Sequence, residues 1–239
     1  MKYMPLANIF QISKEEKEEV VKKLIQKSYP GTSFYIMIGL ASFIAALGLI
    51  INNIAVIIGS MLVAPLLYPL IFLGMSVVLY DFEVIKRNLL IVGKIMILGI
   101  LIGFLSTILF RPFASVKETG IFQEISILPL FYVAIVSGLA ASFAIARKPL
   151  EEFLPGIAVS ISLIPPLINV GVALGFGNFS VAIHSLQLFL INIFGIVFAS
   201  IIIFSLMGFV AERKVATKAL EEEKESLEKG AAEFEKREE

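Results

Sequence analysis

LPGIAVSISLIPPLINVGVALG (154–175) and IGSMLVAPLLYPL (58–70) decide how this sequence is read. Each is a long apolar stretch with prolines near its middle, Pro165 and Pro166 in one and Pro65 and Pro69 in the other, about a hundred residues apart. In hydrocarbon every backbone polar group needs a partner inside the protein, and proline removes a donor and crowds the carbonyl four residues back. The carbonyls concerned are those of Met61, Pro65, Ile161 and Ser162. Breaks at matching depth in two parts of a membrane protein point to a pathway or binding site at the bilayer midplane. A plain proline kink in each helix is the competing reading.

Composition carries the class outward from these stretches. Apolar residues make up 58% of the 239, mean hydropathy is +0.91, and charge is confined to the ends and a few short segments. No charged residue lies between Tyr29 and Asp81, a length that at roughly 1.5 Å per residue allows two bilayer crossings, with Asn52 and Asn53 at the reversal. The same reasoning gives spans near 33–51, 54–79, 88–110, 126–146, 154–176 and 186–210. The expected fold class is all-α, a polytopic bundle of six transmembrane helices with proline-broken second and fifth spans. The first span is too long, and lacks the small-residue pattern, for a cleavable signal peptide.

With six spans, seventeen Lys and Arg fall on the side of the termini and only Arg111 and Lys117 on the other. The positive-inside rule then puts both termini in the cytoplasm of a cell-membrane protein. Formal net charge is zero, so basicity suggests no nucleic-acid partner, and the absence of Cys excludes disulfides and thiolate metal sites. Three regions follow: 1–32 with an amphipathic helix, 33–210 as the membrane domain, and 211–239 as a charged tail.

Within the membrane domain, 33–110 and 126–210 read as two copies of one unit. Gly39-Leu40-Ala41-Ser42-Phe43 resembles Gly138-Leu139-Ala140-Ala141-Ser142-Phe143, and Phe34-Tyr35 resembles Phe131-Tyr132. Gly74 lies nine residues after Pro65 and Gly175 nine after Pro166, and Gly93 against Gly195 extends the likeness, the offset drifting from 97 to 102. A unit of three spans inserts its second copy upside down, as in many secondary transporters.

The blocks IGSMLVAPLLYPL, LPGIAVSISLIPPLINVGVALG and INIFGIVFASIIIFS (191–205) resemble the domain of unknown function 389 family of prokaryotic integral membrane proteins, over roughly residues 34–210. The resemblance implies a membrane protein of several helices and supplies no substrate.

At the N-terminus, Ser13 and Glu16 have the spacing of a capping box ahead of a stripe of Val20, Val21, Leu24 and Ile25. A helix over 13–28 lying at the cytoplasmic interface or against the bundle is expected, ended by Tyr29-Pro30-Gly31. In the tail, Leu220, Leu227 and Phe234 are seven apart, too few heptads for a secure coiled coil, so a solvated, partly frayed helix is the expectation.

Polar residues within the spans are few. Ser60, Ser160, Ser162, Asn169 and Asn192 are candidate pathway ligands beside the carbonyls released by Pro65, Pro69, Pro165 and Pro166, although serines more often bond back to their own helix. Lys94, two turns past Arg87, reads as snorkelling to the headgroups or, alternatively, as a charge partner in the pathway. Gly99 with Gly103, and Gly171 with Gly175, read as packing glycines. His184, placed in a loop Gly177–Ser185, has no neighbours for a metal site.

Spans without Asp, Glu or His offer no catalytic set, and Ser60 with Lys94 is a dyad separated in depth. No enzyme activity and no cofactor or metal are expected. The functional expectation is a transporter or channel for a small solute or ion, in the lipid bilayer and as a homo-oligomer. The alternative is a membrane scaffold or sensor that presents its cytoplasmic helices to a partner.

Overall fold

The computed structural model describes residues 10–28, 30–114, 126–213 and 215–222. Its elements are helical: α1 (Lys14–Ser28), α2 (Thr32–Ile50), α3 (Ile54–Val63), α4 (Leu67–Val78), α5 (Phe82–Phe110), α6 (Ile127–Ala146), α7 (Leu154–Ile161), α8 (Ile164–Phe176) and α9 (Phe179–Leu206). Short 3-10 turns follow α5, precede α7 and follow α9, and 215–222 is helical. Five stretches are long and apolar enough to cross a membrane, and α3 with α4 makes a sixth when counted as one span bent by 53°. The protein is an all-α polytopic membrane bundle.

Two helices begin earlier than their expected starts at 88 and 186. The Asp81 carboxylate accepts from Glu83 N and Val84 N at 3.1 and 3.2 Å and opens α5. The Asn178 side chain accepts from Val181 N at 3.1 Å and opens α9. Each cap satisfies donors that a helix start leaves without an intrahelical acceptor. His184 consequently lies inside α9 and not in an outer loop, and the expectation of spans free of Asp, Glu and His is corrected at His184 and, in the first turn of α5, at Glu83.

Helices α4 and α8 form the centre, with Pro69–Ser76 and Ile164–Ala173 buried throughout. Helix α5 runs along α8, and α9 along α4 and α6. Both long helices bury one face and expose apolar side chains on the other, Leu101, Leu105 and Leu109 on α5 and Ile183, Leu190 and Phe194 on α9. A surface apolar on its outer side is what a bilayer solvates.

Close helix crossings depend on missing side chains. A Cβ on Gly103 would lie 2.5 Å from Ile168 O, and one on Gly171 would collide with Ile100 O and sit 2.7 Å from Phe104 N. A Cβ on Gly175 would meet Thr107 Cβ at 2.6 Å. The glycines expected to serve packing therefore do so, between α5 and α8 of the same chain.

Several features recur 97 residues later. Helices α4 and α8 start at Leu67 and Ile164, and each carries a proline as its third residue, Pro69 and Pro166. Tyr80 and Gly177 are left-handed, with φ of 53° and 82°, and Asp81 and Asn178 then cap α5 and α9. A Cβ on Gly74 would lie 2.9 Å from Val197 O, and Gly171 faces Ile100 O in the same way. At a constant spacing of 97, Gly74 stands against Gly171, Pro65 against Ser162 and Pro69 against Pro166, whereas the drifting offset set Gly74 against Gly175 and Pro65 against Pro166.

At one end of the bundle α1 lies against α4, α6 and the turn after α9. The capping box forms as expected, with Ser13 N donating to Glu16 Oε2 at 2.9 Å and Glu16 N to Ser13 Oγ at 3.2 Å. Val20, Val21, Leu24 and Ile25 are buried, so the apolar stripe binds the bundle. In the segment 215–222, Ala216, Ala219 and Leu220 are also buried, unlike a solvated helix, and its Thr217 and Leu220 border a cavity with Asp81 and Arg87. Leu227 and Phe234 lie outside the described residues.

Candidate functional site

The two proline-bearing stretches are both interrupted, and their interruptions adjoin. Helix α3 ends at Val63, Ala64 is extended with φ −80° and ψ 122°, and α4 resumes at Leu67. Helix α7 ends at Ile161, Ser162 turns left-handed with φ 51° and ψ 56°, and α8 resumes at Ile164. A gap of about 10 Å³ between them is lined by Met61, Ala64 and Leu67 on one side and Ala158, Leu163 and Ile164 on the other. That volume is at the limit for one water, so the interruptions touch through apolar side chains.

The prolines act differently from the expected mid-helix breakers. Pro165 and Pro166 occupy the second and third positions of α8, and Pro155 the second of α7. Helix starts have no intrahelical acceptor for their first N–H groups, so proline there costs no hydrogen bond and presets the backbone. The break in the fifth span accordingly lies at Ser162 and Leu163, ahead of the proline pair. The freed carbonyl of Ile161 accepts from Asn192 Nδ2 of α9 at 3.1 Å.

The remaining candidates divide. Ser60 Oγ is buried and donates to Ile57 O at 2.6 Å, and Ser160 Oγ donates to Ile157 O at 2.7 Å and pairs with Ser137 Oγ at 2.9 Å. Both hydroxyls bond back to their own helices. Asn169 is fully buried and donates to Ser185 Oγ at 2.8 Å, with its Oδ1 lacking a partner among the described residues. Asn192 is thus brought to the interruption and Asn169 to the α8–α9 contact. Lys94 is exposed on the outer face of α5, the position of a snorkelling lysine. Among the described residues no group of three or more His, Asp or Glu is arranged to hold a metal.

A second group of residues at this place was not singled out from sequence. A cavity of about 270 Å³ reaches the first interruption at Ala64 and Pro65 and is walled on its far side by Leu154, Pro155 and Ala158 of α7. Its polar side chains among the described residues are Tyr68 and Glu151. Helix α1 covers both: Lys27 Nζ donates to Tyr68 Oη at 3.1 Å and lies 4.7 Å from its ring centroid, and Lys23 pairs with Glu151. A larger cavity of about 360 Å³ lies between α1 and the turn before α7; Glu151 borders both cavities and Lys23 this one. The available signals were Lys23 and Lys27 four apart beside the apolar stripe of α1, and an acid four residues ahead of Pro155.

Residues 61–198 match the family described as Domain of unknown function (DUF389). The uncharacterized protein MJ0678 of Methanocaldococcus jannaschii is 29% identical over 211 residues, covering 82% of this chain and 64% of that protein. The chain therefore spans less than two thirds of the length of that relative. No solved structure matches. Because the matched stretch runs from the end of α3 through most of α9, takes in both interruptions and covers more than half of the sequence, the chain belongs to the DUF389 family.

Proposed function

We propose that this protein is a transporter or channel that carries a small solute or ion across the cell membrane between its two interrupted helices. The observation that carries the reading is their adjacency: a cavity of about 270 Å³ leads from the α1 end to Ala64, Pro65 and Ala158, and the apolar gap of about 10 Å³ closes the way beyond. Helix halves that end beside one another inside a bundle place carbonyl ends and helix starts along such a path, as in secondary transporters. The reading takes the α1 end and both termini as cytoplasmic, from the seventeen-to-two distribution of Lys and Arg. It also takes the membrane domain as two three-helix halves of opposite orientation, supported by the 97-residue recurrence of caps, turns and glycine crossings. No catalytic step belongs to it, since Ser60 is buried and bonded to Ile57 O while Lys94 faces outward.

The test is flux of inorganic ions and small organic solutes into vesicles reconstituted with the protein. Flux is expected, and it survives truncation after Glu222, which leaves the buried Ala216, Ala219 and Leu220 in place. Absence of flux for every solute with folded protein rejects the reading. A scaffold or sensor draws support from the contacts that hold the terminal segments to the bundle, Lys17 Nζ donating to Gly208 O at 3.0 Å and Arg147 Nη2 to Gln11 O at 3.0 Å. That reading expects no flux under any condition.

A further inference from the structure

We infer that the cavity between Pro65 and Glu151 is a binding site for a small monovalent organic cation, and that Lys23 and Lys27 of α1 hold its two recognition points in place of that cation. The inference rests on the transport reading and gives it a substrate class.

The chemistry of the wall is one-sided. Among the described residues neither Lys nor Arg lines the cavity, and the polar side chains there are a carboxylate, Glu151, and a phenol, Tyr68. Helix α3, ten residues long, ends against it at Val63, so its last carbonyls, left without intrahelical donors, bring the negative end of the helix dipole to the same place. Pro65, two residues beyond Val63, has no N–H and adds no donor. A carboxylate, an aromatic face and helix-end carbonyls together favour a positive guest, and aromatic faces favour ammonium groups in particular.

The contacts of α1 supply the independent sign. Each polar side chain of the cavity is engaged by an ammonium group from outside it, Glu151 by Lys23 and Tyr68 by Lys27, the latter through both hydroxyl and ring. These lysines are four residues apart on one helix and their ammonium groups are only partly enclosed. Partly exposed ion pairs and cation–π contacts are individually weak, and the lysine stem can swing its head aside without moving the backbone. The grip of α1 on the bundle resides in Val20, Val21, Leu24 and Ile25. A guest cation can therefore displace the two heads while α1 stays docked. At about 270 Å³ the cavity suits a guest such as tetramethylammonium better than a larger amphiphile.

The probe is tetramethylammonium chloride titrated calorimetrically into the full chain in nanodiscs, with potassium chloride as the comparison. The double variant Lys23→Gln, Lys27→Gln is expected to bind tetramethylammonium at least ten-fold more tightly than the unsubstituted chain, and addition of Glu151→Gln to abolish the gain. Potassium is expected to bind more weakly than tetramethylammonium in the double variant. Equal affinity of the unsubstituted chain and the double variant overturns the inference, as does a gain that persists without the Glu151 carboxylate. A second measurement needs no variant. Saturating tetramethylammonium should increase acylation of Lys23 and Lys27 by an amine-reactive reagent and leave Lys14 and Lys22 unchanged, and no increase overturns the inference. Binding without vesicle flux would retain the site and reject the transport reading. Flux with unchanged binding would do the reverse.

Discussion

The two interrupted spans use the same device and reach different geometries. In both, the second half-helix begins two residues before a buried proline, Pro69 in α4 and Pro166 in α8. The first span turns through 53° across Ala64–Leu66, whereas 149–176 still passes as one membrane-length stretch. The difference lies in the joints. Ser162 turns left-handed and the carbonyl before it is held by Asn192, so the chain is interrupted but stitched to α9. Ala64 is extended, and the cavity holding Tyr68 and Glu151 opens beside it. One joint is thus tied to a neighbouring helix by a side chain, and the other borders a cavity.

The crossings that hold the two spans give the largest expected effect. Gly171→Ala places a methyl group against the backbone at Ile100 O and Phe104 N, which cannot move without shifting α5. Overpacking of this kind costs about 1–3 kcal/mol. Gly74→Ala meets Val197 O and the side chain of Ser200 in the corresponding place. Both variants should melt lower in detergent, and Ser200→Gly should recover part of the Gly74→Ala loss because one obstacle there is a side chain. Rescue of Gly171→Ala by a side-chain change on α5 would show that its crossing is looser than its backbone contacts imply.

The next effect separates the joints. Asn192→Leu leaves Ile161 O without its donor in the core, a loss of about 1–3 kcal/mol for a buried unsatisfied group. The residue 97 positions earlier is Ile95, a buried apolar side chain that cannot donate such a hydrogen bond to the first joint. Asn192→Leu should therefore lower the melting temperature and increase hydrogen exchange at the α7–α8 joint. An unchanged exchange rate there would mean that Asn192 does not hold the joint.

What could be read from the chain was what neighbouring residues determine. The Ser13–Glu16 box, the Asn52–Asn53 reversal and the close-packing glycines all depend on short spacings and a known chemistry. The prolines marked which spans are interrupted, but proline is equally at home in the first turn of a helix, so they could not say where. The left-handed Ser162 carries no sequence signal, since serine is an ordinary helix residue elsewhere in α7. Asn192 reaches Ile161 across 31 residues and Lys23 reaches Glu151 across 128, distances at which only the packed bundle decides the partner. Helix caps at Asp81 and Asn178 were open to reading by their residue type, and hydropathy placed the starts too late because both first turns are less apolar than the spans they open.

The smallest expected effect concerns the prolines themselves and tests the distinction most directly. If Pro165 and Pro166 broke the fifth span, replacing both with Ala would let hydrogen bonding resume through it and close the joint. Their positions argue otherwise. They sit where α8 has donors to spare, Ile161 O already has Asn192, and Ser162 sets the left-handed turn one residue before α8's flanking Leu163. The double variant Pro165→Ala, Pro166→Ala should therefore keep the interruption and change stability by no more than about 1 kcal/mol, the scale on which proline acts through the unfolded chain. Ser162→Val should cost more than both proline changes together, because a β-branched residue is poorly tolerated in a left-handed turn. The check is a structure or exchange profile of each variant beside its melting temperature. A continuous fifth helix in the double-alanine protein would return the break to the prolines and remove the contrast between the two joints.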